Sequence, residues 1–195
     1  VVPQLTVAWC EAIQRMTGQE TLVCSAETAG ALFPTDYPNP AEIGADRVAD
    51  AVAAKALYGS PVIVVDFGTA TNIEVVDAQG RFAGGVIAPG VETSATALFS
   101  HATKLGAIDL ADPGTAVGHN TEQAIQAGIV YGEADRVDGL VHRIFDQLGY
   151  ETPVIATGGL ASRVATLSKT ITDTNPDLTL EGLRLVYDAY EGISG

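Results

Sequence analysis

Residues 61–90 read PVIVVDFGTATNIEVVDAQGRFAGGVIAPG, and this stretch predicts a buried strand that runs into a polar turn. Residues 62–65 are uniformly apolar and β-branched, as in a strand that is buried on both faces. Asp66 ends this predicted strand, and residues 67–71 supply small side chains, backbone N–H groups and two hydroxyls at a tight turn. Two further strands are predicted after the turn, at residues 72–76 and 81–87.

The turn after the first strand suits phosphate chemistry. A carboxylate beside a run of backbone N–H groups can hold a phosphate or a hydrated cation. The alternative is a plain β-meander, in which the Asp and Thr side chains bond only to their own turns. Because Gly-rich turns after strands are common, other segments must decide between these two interpretations.

Composition limits the class of protein. A chain of 195 residues with 47% hydrophobic residues can bury a sizeable core, as one large domain or two small ones. No apolar span reaches the length of a bilayer and no targeting pattern opens the chain, so we expect a cytoplasmic protein without membrane contact. The net charge of −14 argues against binding nucleic acid. Cys10 and Cys24 lack metal-ligand spacing and are predicted to be free thiols.

The rest of the chain alternates predicted helices and strands, which indicates helices packed against a mixed sheet. Helical spacing of apolar residues is found at residues 5–16, 41–58, 91–100, 120–145 and 180–190. Short apolar runs predict additional strands at residues 21–25 and 153–157.

A second chemical candidate is the segment from Tyr37 to Arg47, in which Asp46 and Arg47 follow Gly44 at the start of a helix. An alcohol attacks phosphorus efficiently only if its proton is accepted, and a positioned Asp is a suitable base. Arg47 could hold an anionic substrate group. In the alternative interpretation, Asp46 complements the helix dipole and Arg47 pairs with a surface acid.

Two further turns have a structural and a functional interpretation. Gly118-His119-Asn120-Thr121 starts the long helix, so its polar side chains either cap that helix or contact a ligand. Thr157-Gly158-Gly159 joins a strand to a helix, where the absent side chains permit either close approach of another group or tight packing.

Taken together, the motifs resemble those of the type III pantothenate kinase family. In order along the chain they are Tyr37-x-Asn39-Pro40-x-Glu42-x-Gly44-x-Asp46-Arg47, Asp66-Phe-Gly-Thr-Ala-Thr71, Gly84-Gly85-x-Ile87-x-Pro89-Gly90, Gly118-x-Asn120-Thr121 and Thr157-Gly158-Gly159. Each motif is weak alone, but five in the same order make coincidence improbable.

The resemblance implies an actin-like ATPase fold (ASKHA, ribonuclease H-like) with mixed sheets flanked by helices. Residues 1–60 would be the remainder of an N-terminal lobe and residues 61–195 a C-terminal lobe. The implied activity is ATP-dependent phosphorylation of pantothenate, the first step toward coenzyme A. The implied cofactors are ATP, Mg²⁺ and a monovalent cation, K⁺ or NH₄⁺, and the implied assembly is a homodimer.

The resemblance also implies residue roles. Asp46 would accept the proton of the primary hydroxyl of pantothenate, and Asp66 would ligate the monovalent cation. Thr69 would contact ATP. The substrate would be bound by Tyr37, Gly44, Ala45, Asp46, Arg47 and Thr121, with Thr121 delivered across the dimer interface. The helix at residues 120–145 could form that interface or be buried in its own domain.

Three departures from the family pattern are visible. Such kinases begin with a strand and a loop resembling Asp-x-Gly-Asn-Thr that cradles the ATP phosphates, and no segment of this chain matches it, so the predicted fold lacks the first phosphate-loop strands. Asp50 stands where Asn is more usual, and Asn72 stands where a second Thr is usual. Asp50 adds a negative charge one helical turn after Asp46, which is predicted to oppose ionisation of Asp46 or to weaken its hold on an anionic substrate.

The sequence therefore leaves three functions open. The first is a genuine pantothenate kinase. The second is a kinase-like protein without catalysis that acts as a binding or regulatory module. The third is a related kinase for another small alcohol.

Overall fold

A mixed five-stranded sheet forms the centre of the structure, which the computed structural model describes for residues 3–101 and 108–192. The strands are β1 Val62–Phe67, β2 Ala70–Val76, β3 Phe82–Pro89, β4 Val154–Thr157 and β5 Asp173–Thr174. Their order across the sheet is β3-β2-β1-β4-β5, with β1, β2 and β3 antiparallel and β1, β4 and β5 parallel. The mixed sheet confirms the predicted α/β class.

Eight helices accompany the sheet within the described residues. They are α1 Thr6–Thr17, α2 Ala26–Ala29, α3 Ala45–Tyr58, α4 Val91–His101, α5 Thr121–Gln126, α6 Gly132–Leu148, α7 Ala161–Val164 and α8 Leu178–Tyr190. A π-helical turn, Ala127–Tyr131, joins α5 to α6. None of these helices is long and apolar enough to cross a membrane.

Strand β1 is covered on both faces, as its apolar run predicts. Because side chains alternate along a strand, Val62 and Val64 face α3 and α8, whereas Ile63 and Val65 face α6. All four valine and isoleucine side chains are fully buried. The sheet therefore separates two apolar layers, and α3, which carries Asp46, packs on the first of them. The predicted division into lobes at residue 60 stays a prediction.

Several predicted elements differ from the structure by more than a shift of one or two residues at an end, or differ at a residue that bears on the site. Residues 21–25 form no strand, because Ser25 instead caps α2 and accepts a hydrogen bond from Thr28 N at 3.1 Å. Strand β1 continues through Asp66 to Phe67, since the antiparallel pairing with β2 extends to the end of the hairpin. The helix predicted from residue 41 begins at Ala45, after a 3₁₀ turn at Pro40–Glu42. The long helix predicted at residues 120–145 contains the π-helical turn.

Gly182 permits the close contact between α3 and α8, and this contact yields a prediction about stability. A Cβ atom at position 182 would lie 2.0 Å from the backbone oxygen of Ala49. Because backbone cannot yield as a flexible side chain does, we expect Gly182→Ala to lower the free energy of unfolding by about 1–3 kcal/mol in urea denaturation. The matched control is Gly139→Ala on α6, where an added Cβ meets nothing within 4 Å. That control should be neutral or stabilising by up to about 1 kcal/mol, and equal effects at both glycines would contradict the packing argument.

Candidate functional site

The N-terminus of α3 forms one wall of the candidate site. Gly44 is its N-cap and has no side chain to cap the helix. Asp46 takes over part of that role, because its Oδ1 accepts a hydrogen bond from the backbone N–H of Arg47 at 2.9 Å. Within the described residues, Asp46 Oδ2 has no hydrogen-bond donor. The carboxylate is thus oriented by one oxygen, half-buried, and open at the other.

The strand ends opposite α3 supply a row of oxygen atoms. In the sheet register, Asp66 lies directly between Asn72 on β2 and Thr157 on β4, so all three side chains share the α3 face. Asn72 Oδ1 and Thr157 Oγ1 are buried and have no hydrogen-bond partner within the described residues. Two orphaned oxygens beside a carboxylate need a donor or a cation, since burying an unpaired polar atom is costly.

Gly158 explains why the Gly-Gly turn follows β4 directly. Its φ of 92° is in the left-handed region, and a Cβ atom there would lie 2.3 Å from Asp66 Oδ1. The turn is thus packed tightly against the end of β1, where both the Asp66 carboxylate and the backbone of Phe67 approach Gly158, so the two interpretations of this turn coincide.

Four carboxylates interact around this wall. Burial, and then the charge of Asp46, raises the pKa of Asp66. Burial raises the pKa of Asp50 to about 7, opposed by a hydrogen bond from Thr179 and reinforced by the charges of Asp66 and Asp46. Burial and the charge of Asp50 raise the pKa of Glu74, although Arg47 opposes the rise. The site therefore holds protons at pH values where exposed carboxylates do not.

Arg47 is held by a buried ion pair. Its Nε donates to Glu74 Oε1 at 2.9 Å, and the two residues are 8% and 0% exposed. The guanidinium carbon lies 5.4 Å from the centroid of the Phe82 ring. A Cβ atom at Gly85 would lie 2.7 Å from Arg47 Nη2, so this glycine of the Gly84-Gly85 motif makes room for the guanidinium. Arg47 therefore pairs with a buried acid, Glu74, and not with the surface acid that the alternative interpretation predicted.

Tyr37 lies on the other side of Phe82. The centroids of the two rings are 6.1 Å apart, and Tyr37 lines a cavity together with Gly84 and Gly85. The other residues that line this cavity include Val75, Ile144 and Leu148, which belong to the apolar layer under α6, and Arg47 is not among them. Tyr37 and Arg47 thus share Phe82 as a neighbour, and a common substrate pocket for both stays a prediction.

Thr69 occupies the exposed turn between β1 and β2, next to Gly68. The Thr69 carbonyl oxygen accepts hydrogen bonds from Gly90 N at 3.0 Å and from the hydroxyl of Thr93 at 2.6 Å. The start of α4 thus fixes the turn from behind and leaves the Thr69 side chain facing outward. A neighbouring buried network, Thr71, Glu133 and Arg136 with the Pro89 carbonyl, secures the same end of the sheet.

Thr121 lies apart from the other candidate residues. It is exposed at the first position of α5, and among the described residues it has no hydrogen bond to any other candidate. Asn120 Oδ1 accepts a hydrogen bond from Gln123 N at 2.9 Å, so Asn120 caps α5, while a ligand contact of Thr121 stays a prediction. The apolar side chains Val137 and Val141 of α6 are fully buried against the sheet, which favours burial in its own domain for the long helix.

Two acidic residues of the site region were missed in the motif analysis, Glu74 and Glu133. Each is almost fully buried, and each has a hydrogen-bond partner more than twenty positions away. A signal for Glu74 was available, because it is a lone charge in the apolar run of a predicted central strand. Its partner was not visible, since only the fold brings β2 onto α3.

Within residues 3–101 and 108–192, no three His, Cys, Asp or Glu side chains converge as a metal-binding group.

Comparison with known sequences gives a consistent result. A family model described as type III pantothenate kinase matches residues 1–143. The type III pantothenate kinase of Thermomicrobium roseum is 46% identical over 189 residues, covering 96% of this chain and 72% of that protein. That of Desulfosudis oleivorans is 48% identical over 191 residues, covering 97% and 73%.

Comparison with solved structures concerns the fold alone. A Baf-family transcriptional activator from Campylobacter jejuni superposes with a TM-score of 0.53 at 20% identity, covering 82% of this chain and 69% of that one. The activator of 2-hydroxyisocaproyl-CoA dehydratase from Clostridium difficile, with bound ADPNP, gives 0.51 at 15% identity, covering 96% and 81%. The mixed sheet with helices on both faces is that of the actin-like ATPase fold, as predicted.

Proposed function

The chain belongs to the type III pantothenate kinase family, and we propose that it transfers the terminal phosphoryl group of ATP to the primary hydroxyl of pantothenate at the site around Asp46. The reaction is the first step of coenzyme A biosynthesis. The single observation that carries the proposal is the half-buried Asp46 carboxylate, which one hydrogen bond orients and which keeps its second oxygen open. Membership of a kinase family implies that the protein uses ATP and a divalent metal ion, Mg²⁺. We place the reaction in the cytoplasm, where ATP is available.

Asp46 is the proton acceptor in this proposal. The hydroxyl of pantothenate must lose its proton as its oxygen bonds to phosphorus, and Asp46 Oδ2 is the open acceptor on the α3 wall. The bond from Arg47 N to Oδ1 keeps the carboxylate from rotating away. Gly44 and Ala45 precede it without bulky side chains, so the substrate can approach the start of α3.

Arg47 and Tyr37 hold the substrate. Pantothenate carries a carboxylate, and a guanidinium binds a carboxylate through two parallel hydrogen bonds. Within the described residues, the terminal nitrogens of Arg47 have no hydrogen-bond acceptor, so they remain available for this purpose. Tyr37 neighbours the same Phe82 ring as Arg47 and would provide apolar contact for the rest of the molecule.

Asp66 would hold the monovalent cation. The orphaned oxygens of Asn72 and Thr157 on either side of it fit a hard cation, which prefers oxygen ligands. A single carboxylate among neutral oxygens suits K⁺ or NH₄⁺ better than a divalent ion. When bound, the cation would offset the negative charge that accumulates as the phosphoryl group is transferred.

Thr69 would contact ATP. It lies on the turn that follows Asp66, and the N–H groups of such a turn can bind phosphate oxygens. The two hydrogen bonds to the Thr69 carbonyl oxygen hold this turn in place before the nucleotide arrives. Preorganised donors of this kind supply much of the rate in phosphoryl transfer.

Thr121 would reach the substrate only from a second copy of the chain. It is exposed and has no hydrogen bond to Asp46 or Arg47 within the described part of its own chain. A homodimer that brings Thr121 of one subunit to the Arg47 pocket of the other accounts for both observations. Sedimentation of the protein with and without pantothenate tests for this assembly.

A coupled assay of ATP turnover tests the proposed function. The protein is assayed with Mg²⁺, with and without pantothenate, and with K⁺ present or replaced by choline. We expect turnover that requires pantothenate and is stimulated by K⁺. No turnover, with pantothenate still bound in calorimetry, would instead support the non-catalytic binding module. Turnover of another small alcohol in preference to pantothenate would support the related kinase.

Asp66→Asn tests the cation site. We expect the K⁺ concentration for half-maximal activity to rise at least about tenfold, because the only charged ligand is removed. The matched control is Asp146→Asn, which removes an exposed carboxylate on α6. Choline chloride keeps the ionic strength constant in all titrations. An unchanged K⁺ response would show that the ion is bound elsewhere or that none is used.

A further inference from the structure

The ion pair of Arg47 and Glu74 has an asymmetric geometry. Glu74 Oε1 accepts only the Nε–H of Arg47, while Glu74 Oε2 has no hydrogen-bond partner within the described residues. A guanidinium that is held through Nε keeps its terminal edge, with Nη1 and Nη2, free to bind a second carboxylate. The described part of the chain therefore binds Arg47 through Nε and leaves Nη1 and Nη2 without a hydrogen-bond acceptor.

The support for this geometry is rigid. Glu74 is on β2, near the middle of the sheet, where it opposes Val64 of β1 and Gly85 of β3. Its side chain is fully buried under α3. Gly85 lies beside Arg47 Nη2, and a Cβ atom there would meet both this nitrogen and the backbone oxygen of Ile73. The guanidinium carbon of Arg47 lies over the ring of Phe82. Three neighbours thus restrict a side chain that is otherwise long and flexible.

We infer that Glu74 is a positioning residue that aims the terminal edge of Arg47 at the carboxylate of the substrate, and so makes the site selective for a carboxylate-bearing alcohol. This inference rests on the proposed function, since it takes Arg47 as the residue that binds that carboxylate. Glu74 does not touch the substrate. It acts through Arg47, because a guanidinium that could rotate would hold the carboxylate with one hydrogen bond in place of two.

The ratio of two dissociation constants separates positioning from a general structural role. Pantothenol replaces the carboxylate of pantothenate with a neutral alcohol and keeps the rest of the molecule. Damage to the fold would weaken binding of both compounds, whereas misplacement of Arg47 weakens only binding of pantothenate. Calorimetry of the protein with each compound gives the ratio, and the coupled assay gives kcat for pantothenate.

For the unchanged protein we expect pantothenate to bind at least about tenfold more tightly than pantothenol. In Glu74→Leu, whose side chain has no acceptor for Arg47 Nε, this preference should fall below about threefold, while kcat at saturating pantothenate stays within about threefold. Arg47→Lys should lose the same preference, because a lysine cannot present two parallel donors. The double variant should lose no more than either single variant, as expected if Glu74 acts only through Arg47.

The control is Glu181→Leu, which makes the same change in the exposed pair of Glu181 and Arg184 on α8 and should leave the preference intact. If Glu74→Leu does not fold, Glu74→Asp keeps the charge but shortens its reach, and the same loss of preference is expected. Two outcomes overturn this inference alone. In the first, the folded Glu74 variant turns over pantothenate and keeps the binding preference for pantothenate over pantothenol. In the second, the unchanged protein turns over pantothenate but does not bind it more tightly than pantothenol. A protein that neither binds nor phosphorylates pantothenate overturns the proposed function, and the inference with it.

Discussion

Asp46→Asn is expected to lower kcat for pantothenate phosphorylation by about 10²–10⁴-fold, the range typical for loss of a general base. Asparagine cannot accept the hydroxyl proton. Its side-chain oxygen can still accept the hydrogen bond from Arg47 N, so the start of α3 should be preserved. The KM for ATP should remain within about threefold, since Thr69 and its turn are unchanged.

Steady-state kinetics and thermal unfolding of the same variant decide between the two interpretations of Asp46. If the carboxylate only complements the helix dipole, the variant loses at most about 1 kcal/mol of stability and keeps its turnover. Asp135→Asn, which alters an exposed carboxylate on α6, controls for the change in net charge. Turnover close to that of the unchanged protein would remove Asp46 as the base.

Asp50→Asn is expected to stabilise the protein at neutral and alkaline pH. Burial raises the pKa of Asp50 from its ordinary value of 3.8 to about 7, so the folded state keeps a proton that the unfolded state has released. This group therefore favours folding most below pH 4, and its contribution is lost as the pH rises to about 7. The loss amounts to roughly 1.4 kcal/mol per pH unit in that window. Asparagine does not titrate and can still accept the hydrogen bond from Thr179.

The free energy of unfolding, measured in urea from pH 5 to pH 8, checks this expectation. The difference between variant and unchanged protein should grow by about 3 kcal/mol up to pH 7 and then stay constant. Loss of the Asp50 charge should also ease ionisation of Glu74, whose pKa it raises, which adds to the effect. Parallel pH profiles for the two proteins would show that Asp50 is already ionised in the folded state.

Asp138→Asn is the matched contrast, because the environment of this buried carboxyl group lowers its pKa, whereas that of Asp50 raises it. Burial raises the pKa of Asp138, but hydrogen bonds from Ser168, Lys169 and Thr170 outweigh it, and the pKa lies below its ordinary value. Its contribution to stability is present above pH 4 and is lost at lower pH. This variant should therefore be destabilised at neutral pH.

A pH–rate profile of Asp50→Asn adds a kinetic test, since a changed profile is expected if the Asp50 charge acts on Asp46.

Local patterns predicted the elements of this fold well where period and end signals agreed. Helix α3 has Ala-rich periodicity and ends at Gly59, and β1 is a short β-branched run. Residues 21–25 misled the prediction, because an apolar run becomes a strand only if a partner strand is available, and Ser25 had a competing role as a helix cap. The π-helical turn has no periodic signature of its own.

The candidate site was predicted in parts. Asp46, Arg47 and Asp66 were found because each is next to a glycine or a strand end. Their mutual arrangement was not predictable from spacing, because it depends on the register that places Asp66 between Asn72 and Thr157. Burial is likewise a property of the whole fold, so the raised pKa of Asp50 and the role of Glu74 became visible only with α3 packed on the sheet.

The contact between α3 and α8 has a consequence for the synthesis of the protein. The hydrogen bond from Thr179 to Asp50 joins residues 129 positions apart, and Gly182 packs on the same helix. On the ribosome, α3 therefore emerges long before the helix that covers it. Contacts over such separations slow folding, because the loop must close before the contact is gained. The nascent chain carries Asp46 and Asp50 on an uncovered helix until α8 has been translated, so the candidate site cannot be completed before that point of synthesis.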